Sequence, residues 1–386
     1  MKILVLVSTL DLKFRLGCTP FWWQLLKALY EKDNELIVVP YLGRGIESLW
    51  WKTYENPCLA KSILMYRFTN TFQKRVNGGK LSSGEFFKKL SRLAIVPKWK
   101  KKIETINRKE KAFDACVIMN VPLNQFEEVA KYIKDLTNIP IIYYDGDMPT
   151  ILPKYALERG FRFNYYEKAD ISIYDAFLVN SEGVIPDLKN MGAKNVHPFH
   201  YAADPDLIYP TNVRKDRDVA FFGFGSQYRE EWMKRMITEP SEKLQDTKFI
   251  VGGGNFDIDL GNAEMVGDVP ISEYKYFVGR AKLNLNITRK SHASIYKTST
   301  GRIFELPAMG AVMVSQPYNG LEEFFEAGKE YIQLKENDDA AEIYKDLLTD
   351  DECREEISTK ARQKILKSHT YSKRAESLVE IILKTT

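Results

Sequence analysis

The sequence predicts an α/β protein made of two Rossmann-like halves with parallel sheets. Three observations carry that expectation. Short β-branched runs alternate with longer amphipathic stretches, the pattern of parallel strands joined by crossover helices. The alternation breaks once, at a stretch rich in Pro, Asp and Asn, and then restarts. Finally, 386 residues are more than one compact core usually holds.

In the first half the strand-like runs are "KILVLVS" (2–8), "ELIVVPY" (35–41), "DACVIMN" (114–120), "IPIIYYD" (139–145) and "AFLVNS" (176–181). Helical patterns between them include "PFWWQLLKALYEK" (20–32) and "QFEEVAKYIKDL" (125–136). The second half repeats this grammar with "DVAFFGF" (218–224), "KFIVGGG" (248–254), "AKLNLNI" (281–287), "AVMVSQ" (311–316) and "EYIQLK" (330–335). Helical patterns follow over 339–350, 352–369 and 372–384. The seam is "AADPDLIYPTNVRKDR" (202–216). The predicted organisation is a first domain over 1–205, a second over 206–370, and a last helix over 371–386 that packs back on the first. Ligands of open α/β sheets bind beyond the carboxyl ends of the strands, so two facing sheets are expected to place two ligands across one cleft.

Composition narrows the function classes. An apolar fraction of 44% with 28% charged residues is globular, and a net charge of +4 does not point to nucleic acid. The four cysteines form no CxxC pair and the four histidines no HExxH, so neither a disulfide framework nor a structural zinc site is expected. No apolar run approaches the ~18 residues of a membrane span. "MKILVLVSTLD" reads as a first strand, since Asp11 interrupts what a signal peptide would continue. A cytoplasmic location is expected.

Chemistry concentrates in "TSTGRIFELPAMGAVMVS" (298–315). Thr298, Ser299, Thr300 and Gly301 stand where a loop enters a helix, and a helix start offers free N–H groups and a positive dipole to an anion. The hydroxyls add donors, and Arg302 is placed to grip a phosphate through two parallel hydrogen bonds. Glu305, one turn on, is placed to accept hydrogen bonds from a diol. The alternative is a capped helix with an ordinary Arg–Glu surface pair. Pro307 predicts a helix that starts late, near Ile303, or bends. Gly223 and Gly225 in "FFGFGSQYR" allow a phosphate close to the backbone, with Arg229 in reach; the alternative is a tight strand-to-helix turn. "VGGG" (251–254) is a turn first. Asp145 and Asp147 end a first-half strand, where two carboxylates at the edge of the expected cleft are placed to orient a ligand hydroxyl or stabilise developing positive charge.

The pattern D-x-D at 145–147 recurs at 204–206 and 257–259, so it carries little information about metal, and no metal site is expected. His197 and His200 are spaced as ligands but stand at a strand end, where packing is the commoner role. The loop after the first strand carries Lys13, Arg15 and Gly17 toward the expected cleft, and Trp22 and Trp23 read as core and rim. Residues 61 to 111 are basic and interleaved with aromatics; a solvated helical pair, an anionic membrane or acceptor, and nucleic acid are the three readings, nucleic acid the weakest.

From about residue 140 to 384 the chain resembles the C-terminal half of group-1 glycosyltransferases, closest to the CgeB-like (spore maturation protein) branch. The residues that carry this are "GRIFELPAMGAVMVSQPYNGLEEFFEAGKEY", the later "HTYSKR", and upstream "FHYAADPDLIYP" and "DVAFFGFGSQYREEW". The resemblance implies a GT-B architecture, with the nucleotide sugar on the second domain and the acceptor on the first. It implies a sugar- or ribose-binding role for Glu305, diphosphate binding by the backbone at Thr300 and Gly301 assisted by Arg302, and a base-side loop at "MVGDVP" (265–270) containing Gly267. The chain departs from the E-x7-E form, because Lys297 stands eight positions before Glu305. Lys297 would itself neutralise phosphate. Aspartates stand where the wider group often has a histidine. The implied activity is hexosyl transfer (EC 2.4) from a nucleotide diphosphate sugar to a glycan, lipid-linked or protein-linked acceptor, with retention and without a cofactor or obligatory metal. A nucleotide-sugar epimerase or hydrolase, or a non-catalytic nucleotide-sugar-binding module, is the alternative. The expected partners are the donor, the acceptor and, through residues 61–111, the inner face of a membrane.

Overall fold

The protein is represented by a computed structural model that describes residues 1–11, 21–75, 83–155, 165–225 and 229–385. The chain divides into two compact units. The first contains the leading strand, Trp22–His200 and the chain from Arg374 onward; the second contains Phe21 and Tyr201–Lys373.

Unit 1 runs through β1 (Lys2–Thr9), α1 (Phe21–Tyr30), β2 (Glu35–Leu42), β3 (Lys52–Thr53), α2 (Leu59–Arg75), α3 (Ser83–Ala94), α4 (Val96–Glu110), β4 (Ala115–Met119), α5 (Leu123–Thr137), β5 (Ile141–Asp145), β6 (Ala176–Val179), α6 (Ile185–Asn190) and β7 (Val196–Pro198). Its seven strands are ordered β3-β2-β1-β4-β5-β6-β7 and pair in parallel. The central strands are buried on both faces, which is why "ILVLV" and "ACVIM" show no polar alternation.

Unit 2 runs through β8 (Arg217–Phe224), α7 (Glu230–Met233), α8 (Glu239–Lys243), β9 (Phe249–Gly254), β10 (Glu264–Gly267), α9 (Tyr274–Gly279), β11 (Ala281–Asn286), α10 (Lys290–Ser294), α11 (Gly301–Ala308), β12 (Val312–Ser315), β13 (Ile332–Gln333), α12 (Ala340–Thr349), α13 (Asp351–Ser368) and the start of α14 (Tyr371–Thr385). Its strand order is β10-β9-β8-β11-β12-β13, again parallel. Each sheet reverses its order beside its first strand, between β1 and β4 and between β8 and β11. Such a reversal opens a crevice at the carboxyl ends of the strands.

Two details differ from the sequence expectation. The helix at 301 does not start late. α11 begins at Gly301 and holds Pro307 in its last turn, where the lost hydrogen bond matters least; Met309 and Gly310 N–H groups close that turn on Glu305 and Pro307 carbonyls. The stretch 265–270 is not wholly a loop, because Glu264–Gly267 form the edge strand β10. That strand is short and exposed, so it lacks the apolar run that marks the inner strands.

Candidate functional site

The carboxyl edge of the unit 2 sheet is shaped by where pairing stops. β8 and β11 pair only as far as Ala220 and Asn284, while β8 stays on β9 to Phe224 and β11 on β12 to Asn286. The two central strands therefore separate over their last residues. Arg302, from the first turn of α11, fills that gap. One Nη donates to the Ile287 carbonyl at 2.7 Å and the other to the Phe222 carbonyl at 2.6 Å. The expected phosphate grip of Arg302 is thus directed inward, to two carbonyls that the separated strands leave without ladder partners. The guanidinium also lies 5.2 Å from the Phe221 ring centre.

Arg229 approaches the same ring, at 6.0 Å, and its Nη1 donates to the Phe224 and Gly225 carbonyls. Gly223 is required by this packing, since a Cβ there would sit 2.7 Å from Phe221 Cζ. Gly225 has a φ of +76°, a left-handed turn that releases the chain from β8. Arg289 follows β11 by three residues. Burial, then Arg289 and Arg229, hold His292 well below the ordinary imidazole range and so uncharged. Its Nδ1 is buried with no hydrogen-bond partner among the described residues. Arg289 and His292 were not singled out from sequence. A basic residue placed directly after a central strand was the signal for them.

Thr300 caps α11 in extended backbone without a side-chain capping bond, so the helix start is not closed by its own hydroxyl. Thr298 and Ser299 are fully buried and their hydroxyls serve the fold. Thr298 Oγ1 donates to the Ile295 carbonyl at 2.9 Å, and Ser299 Oγ accepts from Tyr201 N–H at 3.0 Å. Lys297 adopts a left-handed φ of +47° and extends its amine over the Phe324 ring at 5.8 Å.

Glu305 is the unusual residue. It is 3% exposed, and its carboxylate folds back on the first turn, where a Cβ on Gly301 would lie 3.2 Å from Oε1. Oε2 is buried without a hydrogen-bond partner among the described residues. Burial raises its pKa to about 7, against a smaller lowering by Arg302. Gly267 lies apart, at the end of an edge strand two positions from β8, with a φ of +73° and open space around it.

In unit 1, Asp145 and Asp147 stand at the carboxyl end of β5 but in different environments. Asp145 is fully buried, accepting from Tyr166 Oη at 2.7 Å and from Asp147 N–H at 2.9 Å. Burial, then the neighbouring Asp147, raises its pKa to about 7. Asp147 is exposed, with Asn120 Nδ2 donating to it at 3.1 Å. Asn120, at the end of β4 with a φ of +51°, also accepts from Gly146 N–H at 2.8 Å and so ties the two strand ends. The other D-x-D stretches make turns, Asp204 accepting from Asp206 N–H and Asp259 from Gly261 N–H. His200 Nε2 lies 3.2 Å from Glu182 Oε1, and burial lowers the pKa of half-buried His197. Trp22 is core, and Trp23 packs edge-on against Trp51 and Trp50. Lys13, Arg15 and Gly17 lie outside the described residues. Among the described residues no helix is long and apolar enough to cross a membrane.

Residues 229–380 match the model of a family described as glycosyl transferase-like. A stretch of 107 residues is 28% identical to the probable cellulose synthase A catalytic subunit 3 [UDP-forming] of Oryza sativa subsp. japonica. That match spans 27% of this chain and 9% of the rice protein. Among solved structures, sucrose-phosphate synthase from Thermosynechococcus elongatus superposes with a TM-score of 0.66 at 12% identity, over 100% of this chain and 99% of that one. The Anabaena protein HepE in complex with UDP-glucose gives 0.62 at 12% identity, over 100% of both chains. The segment 229–380 is thus similar to the glycosyl transferase-like family, in a chain whose two Rossmann-like units have the fold of the GT-B glycosyltransferases.

Proposed function

We propose that the protein is a glycosyltransferase that takes its sugar from a nucleoside-diphosphate donor bound by unit 2. The observation that carries this is Glu305, a buried carboxylate with one unpartnered oxygen at the start of α11, inside the family-matched segment. Leaving a buried acceptor unpaired costs about 1–3 kcal/mol. Hydroxyls of a bound ribose or sugar would supply the missing donors. The α11 N-terminus, Thr300 and Gly301 would face the diphosphate, and Arg229 and Arg289 would add positive potential as the leaving group gathers charge. Arg302 contributes through position, holding the crevice open between β8 and β11.

Uridine is the base proposed first, because HepE was solved with UDP-glucose and the rice relative is UDP-forming. The proposal extends to hexosyl transfer with retention, without a required metal, to a glycan or lipid-linked acceptor bound by unit 1. Asp147, exposed at the end of β5, is the acceptor-side group there. The Arg302-x-Phe304-Glu305 motif makes the CgeB-like branch the proposed kinship.

Thermal stabilisation by UDP, GDP, ADP, CMP and dTDP tests the donor site in wild type and Glu305→Gln. Ligand at about 100 times its Kd adds about 2.7 kcal/mol. A shift with UDP that the variant loses is expected. No shift with any nucleotide would overturn the proposal.

A further inference from the structure

We infer that the outer face of α2 and α3 in unit 1 docks on an anionic lipid surface. It lies outside the donor site and does not depend on the glycosyltransferase proposal. The inner face of these helices is accounted for: Ser62, Met65, Phe87 and Ser91 are buried, and Ser91 donates to the Gln125 carbonyl of α5. On the outside, where a helix ordinarily turns charge to water, stand Leu64 (66% exposed), Phe68 (45%), Phe86 (50%) and Leu93 (81%). Leu64 and Phe68 are one turn apart on α2, and Phe86 and Leu93 two turns apart on α3, so each pair forms a stripe. The Phe68 and Phe86 rings, 6.5 Å apart, join the two stripes into one patch.

Charge identifies the occupant. Lys61 and Arg67 border the patch on α2, and Lys89 and Arg92 on α3, all exposed. Residues 59–110 carry fourteen Lys and Arg against three Asp and Glu, a net of +11. The whole chain has +4, so the remainder carries −7. Of the partners that a basic amphipathic face fits, an anionic membrane offers charge and apolar contact over one continuous surface. Exposed aliphatic and aromatic side chains set among cations suit the boundary between anionic headgroups and acyl chains. Leu64 and Leu93 have no π face for stacking on bases, which separates this surface from a single-strand binding platform.

Co-sedimentation of the full chain with phosphatidylcholine vesicles, with and without phosphatidylglycerol, tests this. Pelleting with the anionic vesicles only is expected, weakening as salt rises. The double variant Phe86→Ser, Leu93→Ser should lower the partition coefficient about tenfold. Its melting temperature should fall by only a few degrees, because Leu93 is largely exposed and Phe86 half-exposed. Equal binding to neutral vesicles, undiminished binding by the variant, or no pelleting would overturn the inference. So would tight binding to an oligonucleotide that the double variant leaves unchanged.

Discussion

Glu305 and half-buried Arg302 lie on adjacent turns of α11, yet their charges are handled in opposite ways. Arg302 finds two carbonyl acceptors, while Glu305 keeps an oxygen unpartnered and its pKa rises to about 7. A carboxyl whose folded pKa exceeds its unfolded value gives stability that is present at low pH and lost as pH rises through the folded pKa. The window here runs from about 4.5 to about 7, and the penalty above it is on the order of 3 kcal/mol. Glu305→Gln is therefore expected to raise the melting temperature of the ligand-free protein at pH 8 and to flatten its rise toward pH 5. Asp145 adds a dependence of the same sign, so the curve flattens in part only. Nucleotide affinity should run the other way, strengthening as pH rises through about 7, because the ionised carboxylate is the better acceptor. Arg302→Met would leave the Phe222 and Ile287 carbonyls facing each other unpaired, costing about 2–4 kcal/mol in urea unfolding. A surface Arg–Glu pair in its place would cost a few tenths. The sequence singled out 302 and 305 as candidate positions. It did not show that the arginine points inward, because the separation of β8 from β11 depends on where pairing stops. That is a tertiary fact with no local signature.

Strands and helices were the most legible scale. Every long apolar run quoted from the sequence contains a strand of the sheet, since inner parallel strands must be apolar on both faces. β3, β7 and β10 were missed, being two to four residues long and at or next to a sheet edge. Glycines mark where strands approach too closely for a side chain, and they differ sharply in consequence. Gly253 has a φ of +109° and a Cβ there would lie 1.8 Å from the Gly223 carbonyl oxygen, so Gly253→Ala should cost about 3 kcal/mol or more. Gly267 is also left-handed but has nothing within 4 Å, so Gly267→Ala should cost only about 1–2 kcal/mol. Chemical denaturation of the two variants separates a glycine needed for close approach from one needed only for its turn. The strand-end aspartates divide similarly. Asp147→Asn should leave stability within about 0.5 kcal/mol while lowering transfer to acceptor. Asp145→Asn should alter the pH profile of stability, because Asp145 is enclosed by Tyr166 and the Asp147 amide.

At the scale of the whole molecule, the chain leaves unit 1 after His200, builds unit 2, and returns at Arg374. The Pro-, Asp- and Asn-rich residues 202–216 begin beside the first of these junctions. The return is made inside a helix, so no loop composition announces it. α14 starts at Tyr371, whose N–H donates to Ala203 in unit 2, and from Arg374 onward it belongs to unit 1. There Arg374 Nε donates to the His200 carbonyl at 2.8 Å, and Glu376 pairs with Lys32 at 2.7 Å. Ala375, Leu378 and Ile382 are fully buried. The stretch 375–382 of α14 is therefore part of the core of the first unit. Leu378→Ala should cost about 2–5 kcal/mol, and the loss should fall on unit 1. Hydrogen exchange resolves this, because amides of β1, β4 and β5 should lose protection while those of β8, β9 and β11 keep theirs. Equal loss in both sheets would mean that the two units unfold as one cooperative body, and loss confined to unit 2 would place the helix with the wrong partner.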